Sequence, residues 1–286
     1  MTGSRVPDFF LVGAPRSGTT SMYTYLKQHP EIYLSVLKEP HFFSTDLSRP
    51  PQAVADESLY RGLFAGAEDE KRLGEGSVWY LESRDAPHAI RGFSPSARIL
   101  VMLRNPVDMM ASLHALYTRT GNEEILDFEE ALGAQEERAR GERIPAGAYF
   151  PEGLIYTRAA TFAEKLGRYF EVFGRDRVHV VVFDDFASEP LRVYRETLEF
   201  LEVDPGFVPE LDLARAAQLI RSRVLRQLHT TPQEIRDKMK GGGRRHTVPR
   251  TGPSPELRSR LRQACAPDVK ALGELLGRDL SAWSAA

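Results

Sequence analysis

An apolar run, Phe9-Phe10-Leu11-Val12, leads straight into Gly13-Ala14-Pro15-Arg16-Ser17-Gly18-Thr19-Thr20, and a helical pattern follows. A strand that ends in a glycine-bounded turn and hands over to a helix has few folded solutions. The turn gathers successive backbone N–H groups, and the helix N-terminus adds its own, so the segment forms a concave anion site. Gly13 and Gly18 give the spacing G-x-x-x-x-G-x-[ST] of a phosphate-binding P-loop. One position departs from the triphosphate-binding version. Thr19 stands where the lysine that reaches the β- and γ-phosphates would be, and Arg16 is the only basic residue within the loop. The pattern therefore predicts a nucleotide with a short 5′ chain, held by Arg16, Ser17, Gly18, Thr19 and Thr20.

The rest of the chain predicts the frame around that loop. β-rich runs at 9–12, 98–103 and 177–183, with weaker ones at 31–34 and near Leu73, alternate with amphipathic patterns at 20–28, 107–118, 129–140, 154–173, 191–201 and 255–276. Alternation of this kind predicts an α/β fold: a P-loop-type central parallel β-sheet flanked by helices on both faces. The length of 286 residues suits a single domain over 1–286, with a core at about 8–283 and no linker or repeat to divide it. In open α/β sheets, ligands bind beyond the carboxyl ends of the strands. That rule selects the segments 14–20, 35–43, 75–80, 104–112 and 184–188.

Composition excludes some classes of function. A formal net charge of −2 argues against a general nucleic-acid binder. Cys265 is the only cysteine, so no intrachain disulfide forms, and no metal-ligand spacing such as C-x-x-C or H-E-x-x-H occurs. The apolar run at 9–12 is far too short to span a bilayer. The expectations are a cytoplasmic protein with no membrane partner and no metal requirement; composition leaves the oligomeric state open.

A second phosphate motif follows the run at 98–103. It reads Arg104-Asn105-Pro106-Val107-Asp108, with Ser112 about two turns into the next helix. An arginine fork and a hydroxyl suit a phosphate monoester. Together with the first loop, this R-[ND]-P-x-[DE]-x-x-x-S segment resembles the PAPS-dependent sulfotransferases, in their bacterial and heparan-sulfate-sulfotransferase-like branch. The resemblance implies PAPS (3′-phosphoadenosine 5′-phosphosulfate) as co-substrate. It implies the 5′ group on the first loop and the 3′-phosphate on Arg104 and Ser112. The sulfuryl group would pass to a hydroxyl, or secondarily an amine, of a small-molecule or glycosylated acceptor, as in natural product modification. Glu75-Gly76-Ser77-Val78-Trp79-Tyr80 resembles the family's E-x-[ST]-x-x-Y segment. Gly243-Arg244-Arg245-His246 resembles a loop that closes over the donor, which makes Gly243, Arg244 and Arg245 donor-binding candidates. The ending from Leu275 to Trp283 resembles L-x-G-R-x-[LF]-x-x-W. Gly76 and Gly242 replace lysines of the heparan-type pattern, and Phe162 replaces a tyrosine, so the expected acceptor is not of the heparan type.

Lys38-Glu39-Pro40-His41-Phe42-Phe43 resembles the acceptor-side segment in which the glutamate is the proposed base. Sulfuryl transfer is an in-line displacement, much like phosphoryl transfer. It needs a base for the acceptor hydroxyl and positive charge at the leaving phosphate. Glu39 is the first candidate for the base and His41 the second, and Arg16 is the charge at the phosphate. A histidine starts near ~6.5 and suits proton transfer at neutral pH; a carboxylate starts near ~4.3 and needs partial burial to become a stronger base. Two other readings stay open. One is a P-loop nucleoside or small-molecule kinase, opposed by Thr19 and by the lack of an obvious Walker-B aspartate. The other is a donor-binding protein without catalysis.

Overall fold

The computed structural model describes residues 5–239 and 252–285. The strands β1 (Phe9–Gly13), β2 (Ile32–Leu34), β3 (Arg72–Gly76), β4 (Arg98–Leu103) and β5 (Val178–Val182) form one sheet in the order β2-β3-β1-β4-β5. Every pairing is parallel. β1 is central and fully buried, as its uninterrupted apolar run requires. β3 reads Arg-Leu-Gly-Glu-Gly and has almost no strand signal of its own; it is extended because β1 and β2 pair with its two edges.

Alternate side chains along the strands serve opposite faces. Phe9, Leu11, Leu100, Met102 and Val181 pack against α1 (Thr19–Leu26) and against Phe186, Val193, Tyr194 and Leu198 of the helices Phe183–Ser188 and Pro190–Phe200. On the other face Phe10 meets Phe43 edge-on at 5.7 Å. Phe43 in turn meets Tyr60 of α2 (Glu57–Gly62) and Phe93 of α3 (Ala86–Phe93), each at 5.2 Å. Helices thus cover both faces. Each fully buried side chain of this size contributes roughly 1.5–3 kcal/mol, so the sheet is a rigid base for the loops at its carboxyl ends.

The chain divides into two compact units. One holds Met1–Asp46, Pro51–Leu103 and Tyr169–Gly241, the other Leu47–Pro50, Arg104–Arg168 and Gly242–Ala286. The sheet and the first phosphate loop belong to the first unit; α4 (Pro106–Thr120) and the long helix Pro255–Leu276 belong to the second. Two helices expected as continuous are broken. The 129–140 pattern is split into Phe128–Gly133 and Gln135–Ala139, and the 154–173 pattern into Tyr156–Ala159 and Ala163–Phe173. In the second case Asp268 draws off the free N–H groups of Phe162 and Ala163, at 2.7 and 3.1 Å, and starts a new helix there. No described helix is long and apolar enough to cross a membrane. Gly243, Arg244 and Arg245, named above as donor-binding candidates, lie outside the described residues.

Candidate active site

The first loop is pinned at its start by the Ala14 N–H, which donates to the Met102 carbonyl of β4 at 2.6 Å. Its turn ends at Gly18, whose φ of 86° is left-handed. A Cβ there would lie 2.9 Å from the Phe183 ring, so both conformation and space demand glycine. A glycine N-cap has a consequence for ligands. It offers no side chain to the N–H groups of the first turn of α1, and that turn contains no acidic residue. These donors and the helix dipole therefore favour an external anion. Ser17 is fully buried and its hydroxyl donates to the Pro15 carbonyl at 3.4 Å. Thr19 is buried, Thr20 is exposed, and Arg16 is half-buried with a φ of 61°. This cradle fits the short anionic 5′ chain that the sequence predicts.

Beyond β2, the segment 38–43 is laced to the residues that follow β3. The Glu39 N–H donates to the Gly76 carbonyl at 2.9 Å. The His41 N–H donates to Ser77 Oγ at 3.1 Å, and the Phe43 N–H donates to the Tyr80 hydroxyl at 3.2 Å. Glu39 and His41 both have left-handed backbones, with φ of 64° and 49°. Such conformations cost on the order of 1–3 kcal/mol each and persist where neighbours over-determine them. The three hydrogen bonds do so here. At Gly76, where the family pattern has a lysine, a Cβ would meet the Tyr23 ring of α1 at 3.0 Å, a tight contact.

The segment brings Glu39 and His41 together. Lys38 Nζ pairs with Glu39 Oε1, while His41 Nε2 lies 3.7 Å from Glu39 Oε2. Glu39 is 26% exposed and His41 only 1%. Burial acts to raise the Glu39 carboxyl, but Lys38 and His41 outweigh it and hold the group well below the usual carboxylate range. Glu39 is therefore ionised at neutral pH and partly exposed, but it is a weaker base than an ordinary carboxylate. That is the opposite of the strengthening by burial that the sequence reading called for. The His41 ring is buried, 6.2 Å edge-on from Tyr80.

One ionisable group here has no role in the sequence reading beyond opening a motif. Glu75 on β3 is fully buried. Burial pushes its carboxyl up to about 8; the hydroxyls of Tyr80 and Ser77 oppose that shift and the nearby Glu39 charge adds to it. The sequence showed it only as the first residue of the E-x-[ST]-x-x-Y segment; its desolvation comes from β1 and β2, which pair with both edges of β3.

The second phosphate motif lies in the other unit. Asn105 caps α4 by accepting from the Val107 N–H at 3.0 Å, and its amide donates to the Trp283 carbonyl at 3.4 Å. This contact gives the C-terminal tryptophan motif a structural task. Arg104 and Ser112 are both half-buried. Asp108 pairs with Arg258 at 2.7 Å and so tethers α4 to the long helix. His114, two residues beyond Ser112, lies within hydrogen-bonding distance (2.9 Å) of the Ile125 carbonyl, and burial lowers its pKa, which fits a packing role.

A parallel α/β sheet with a lysine-free glycine loop beyond its central strand, and an ionised carboxylate on a neighbouring loop, defines a P-loop-type fold. More particularly, the chain belongs to the sulfotransferase family: residues 6–250 match the family described as "Sulfotransferase domain". It is 33% identical to a sulfotransferase from Alicyclobacillus acidocaldarius of known crystal structure; the match covers 98% of this chain and 100% of that one, with a TM-score of 0.79. Human carbohydrate sulfotransferase 15 is 27% identical over 252 residues, covering 70% of this chain. The chain spans 44% of the length of that relative. A mouse sulfotransferase crystallised with PAP shares the fold at 16% identity and a TM-score of 0.50, with 93% of this chain and 84% of that one covered.

Proposed function

We propose that this chain transfers the sulfuryl group of PAPS to a hydroxyl of a small-molecule or carbohydrate acceptor. The observation that carries the reading is the uncapped, acid-free first turn of α1 behind a loop whose only cation is Arg16. Such a cradle suits a 5′-phosphosulfate and lacks the lysine on which a triphosphate site relies. The PAP bound to the mouse sulfotransferase and the carbohydrate named for the human relative support the donor and acceptor classes.

PAPS would supply an activated sulfuryl group. Glu39, ionised and partly exposed, accepts the proton of the acceptor hydroxyl as its oxygen bonds to sulfur and the bond from sulfur to the leaving phosphate oxygen breaks. Arg16 and the N–H groups at the start of α1 stabilise the charge that gathers on that phosphate. Arg104 and Ser112 are assigned the 3′-phosphate. The two compact units are taken as one sulfotransferase domain, because the family match runs through both.

The test is a thermal-shift series without metal, paired with mass-spectrometric detection of sulfated product from an acceptor panel. The expected result is stabilisation by PAP well beyond that by ATP with magnesium, since a ligand of the folded state alone raises apparent stability. Equal or greater stabilisation by ATP with magnesium would overturn the reading in favour of a kinase.

A further inference from the structure

Glu75 sits at the centre of a cluster that the transfer reaction described above does not use. It lies on β3 opposite Phe10 of β1, with no exposed surface. The hydroxyls of Tyr80 and Ser77, beyond β3, and of Tyr60, on α2, act on its carboxyl, and neither oxygen of Glu75 closes a hydrogen bond. Two of those hydroxyls already hold the active-site segment. Ser77 Oγ accepts from the His41 N–H, and the Tyr80 oxygen accepts from the Phe43 N–H. A hydroxyl that accepts through its oxygen must turn its own hydrogen elsewhere. Glu75 is buried on the same face of the sheet, opposite Phe10, whose ring meets Phe43, which in turn meets Tyr80 at 5.9 Å.

We propose that Glu75 is a positioning residue for Glu39: it orients Ser77 and Tyr80, which clamp the backbone at His41 and Phe43 and thereby fix the left-handed turn that presents Glu39. The assignment of Glu39 as base rests on the sulfotransferase reading; the clamp itself does not. The titratable groups that face Glu75 are Tyr60 from α2, Tyr80 beyond β3, Tyr23 from α1 and Glu39 from the segment after β2. Lys38 and His41 act on the same Glu39 carboxylate. With Glu39 ionised beside it, Glu75 keeps its proton until about pH 8. A neutral carboxyl offers one donor and one acceptor to the three hydroxyls; a second negative charge would repel Glu39 and disturb the turn.

The experiment compares Glu75→Gln, which keeps the neutral shape, with Glu75→Ala, in the full chain. Hydrogen exchange is read at the His41 and Phe43 amides against the β1 and β4 amides as internal control. Glu75→Ala is expected to lower protection at His41 and Phe43 about tenfold or more with the strands unchanged, whereas Glu75→Gln stays within about threefold of wild type. In the transfer assay, Glu75→Ala is expected to lose about 10–100-fold in kcat with PAP affinity unchanged. Glu75→Gln should retain kcat and lose the alkaline fall near pH 8. Wild-type protection in Glu75→Ala overturns the proposal. So does a Glu75→Gln variant as impaired as Glu75→Ala, because the ionisable carboxyl itself would then be required. Should Glu75→Ala not fold, an alkaline limb in Glu75→Gln identical to wild type also overturns it. A wild-type protein that transfers no sulfuryl group sinks the functional reading instead, and the exchange arm still decides the clamp.

Discussion

Lys38 holds one oxygen of Glu39 while the His41 ring faces the other, and that balance governs the acid side of a pH profile. A base held well below the usual carboxylate range stays ionised, and activity is expected to persist into acid. Lys38→Ala removes the cation that most opposes the effect of burial, so the acid limb of kcat/KM should move to higher pH. An unmoved limb would show that Glu39 is not the group being titrated. Glu39→Gln should lower turnover by roughly 10²–10⁴-fold with PAP affinity unchanged in calorimetry; near-normal turnover in that variant, with loss in His41→Ala, would move the base to His41. Glu75 titrates in the opposite sense. Its carboxyl sits at about 8 in the folded chain against an ordinary 4.5, so the native state binds the extra proton through that window. Its contribution to stability is full below about pH 4.5 and is lost as pH rises to about 8. Urea melts across the window should show wild type losing ~1.4 kcal/mol per pH unit relative to Glu75→Gln, whereas parallel curves would mean that Glu75 is already ionised. Glu39 and His41 were legible because a short motif carries them. The chemistry of Glu75 was not: the E-x-[ST]-x-x-Y segment shows Glu75, Ser77 and Tyr80 together, but the burial that raises the carboxyl comes from β1, β2 and Tyr60, which that segment does not contain.

Several long periodic elements were read correctly, whereas the short helices α2 and α3 were not, despite the local Asp56 cap and Pro87 at their starts. β4 and the Pro255–Leu276 helix have the bounds their patterns predict, and α4 extends its pattern by one residue at the start and two at the end. The helix expected over 154–173 fails at Thr161 and Phe162, because its cap is a carboxylate more than a hundred residues away. Asp268→Ala should therefore cost ~0.5–2 kcal/mol in a denaturant melt, the usual loss for an N-cap, with Asp268→Asn recovering most of it. A melt unchanged by Asp268→Ala would show that the start at Ala163 is set by packing alone. The 129–140 pattern hides a similar long-range tie. Arg138, inside that pattern, is buried against Glu123 at 2.7 Å, and Glu123 also accepts from the Tyr156 hydroxyl at 2.8 Å. A buried pair of this kind comes from tertiary structure, and helical periodicity gives no sign of it.

At the scale of the whole molecule, the two phosphate motifs fall in different compact units, although the family match runs through both. Sequence alone exposed both motifs, since each follows a buried apolar strand and the rule for open α/β sheets looks beyond strand ends. It did not expose the partition, because Arg104 follows β4 with no change of composition to mark a boundary. In the proposed assignment Arg104 senses the 3′-phosphate alone, as the 5′ group is served by Arg16 and the start of α1. Arg104→Ala should then weaken binding of PAP by ~1.5–3 kcal/mol, the range for a hydrogen bond to a charged group, and leave the analogue without a 3′-phosphate almost unaffected. Lysine at that position should restore only part of the loss, since a point charge lacks the bidentate fork. Ser112→Ala removes one neutral donor and should cost about 1 kcal/mol. Calorimetry of both nucleotides on wild type and Arg104→Ala closes the thermodynamic cycle. An equal loss for the two nucleotides would return Arg104 to a structural role at the start of α4 and leave the 3′-phosphate to residues elsewhere in the chain.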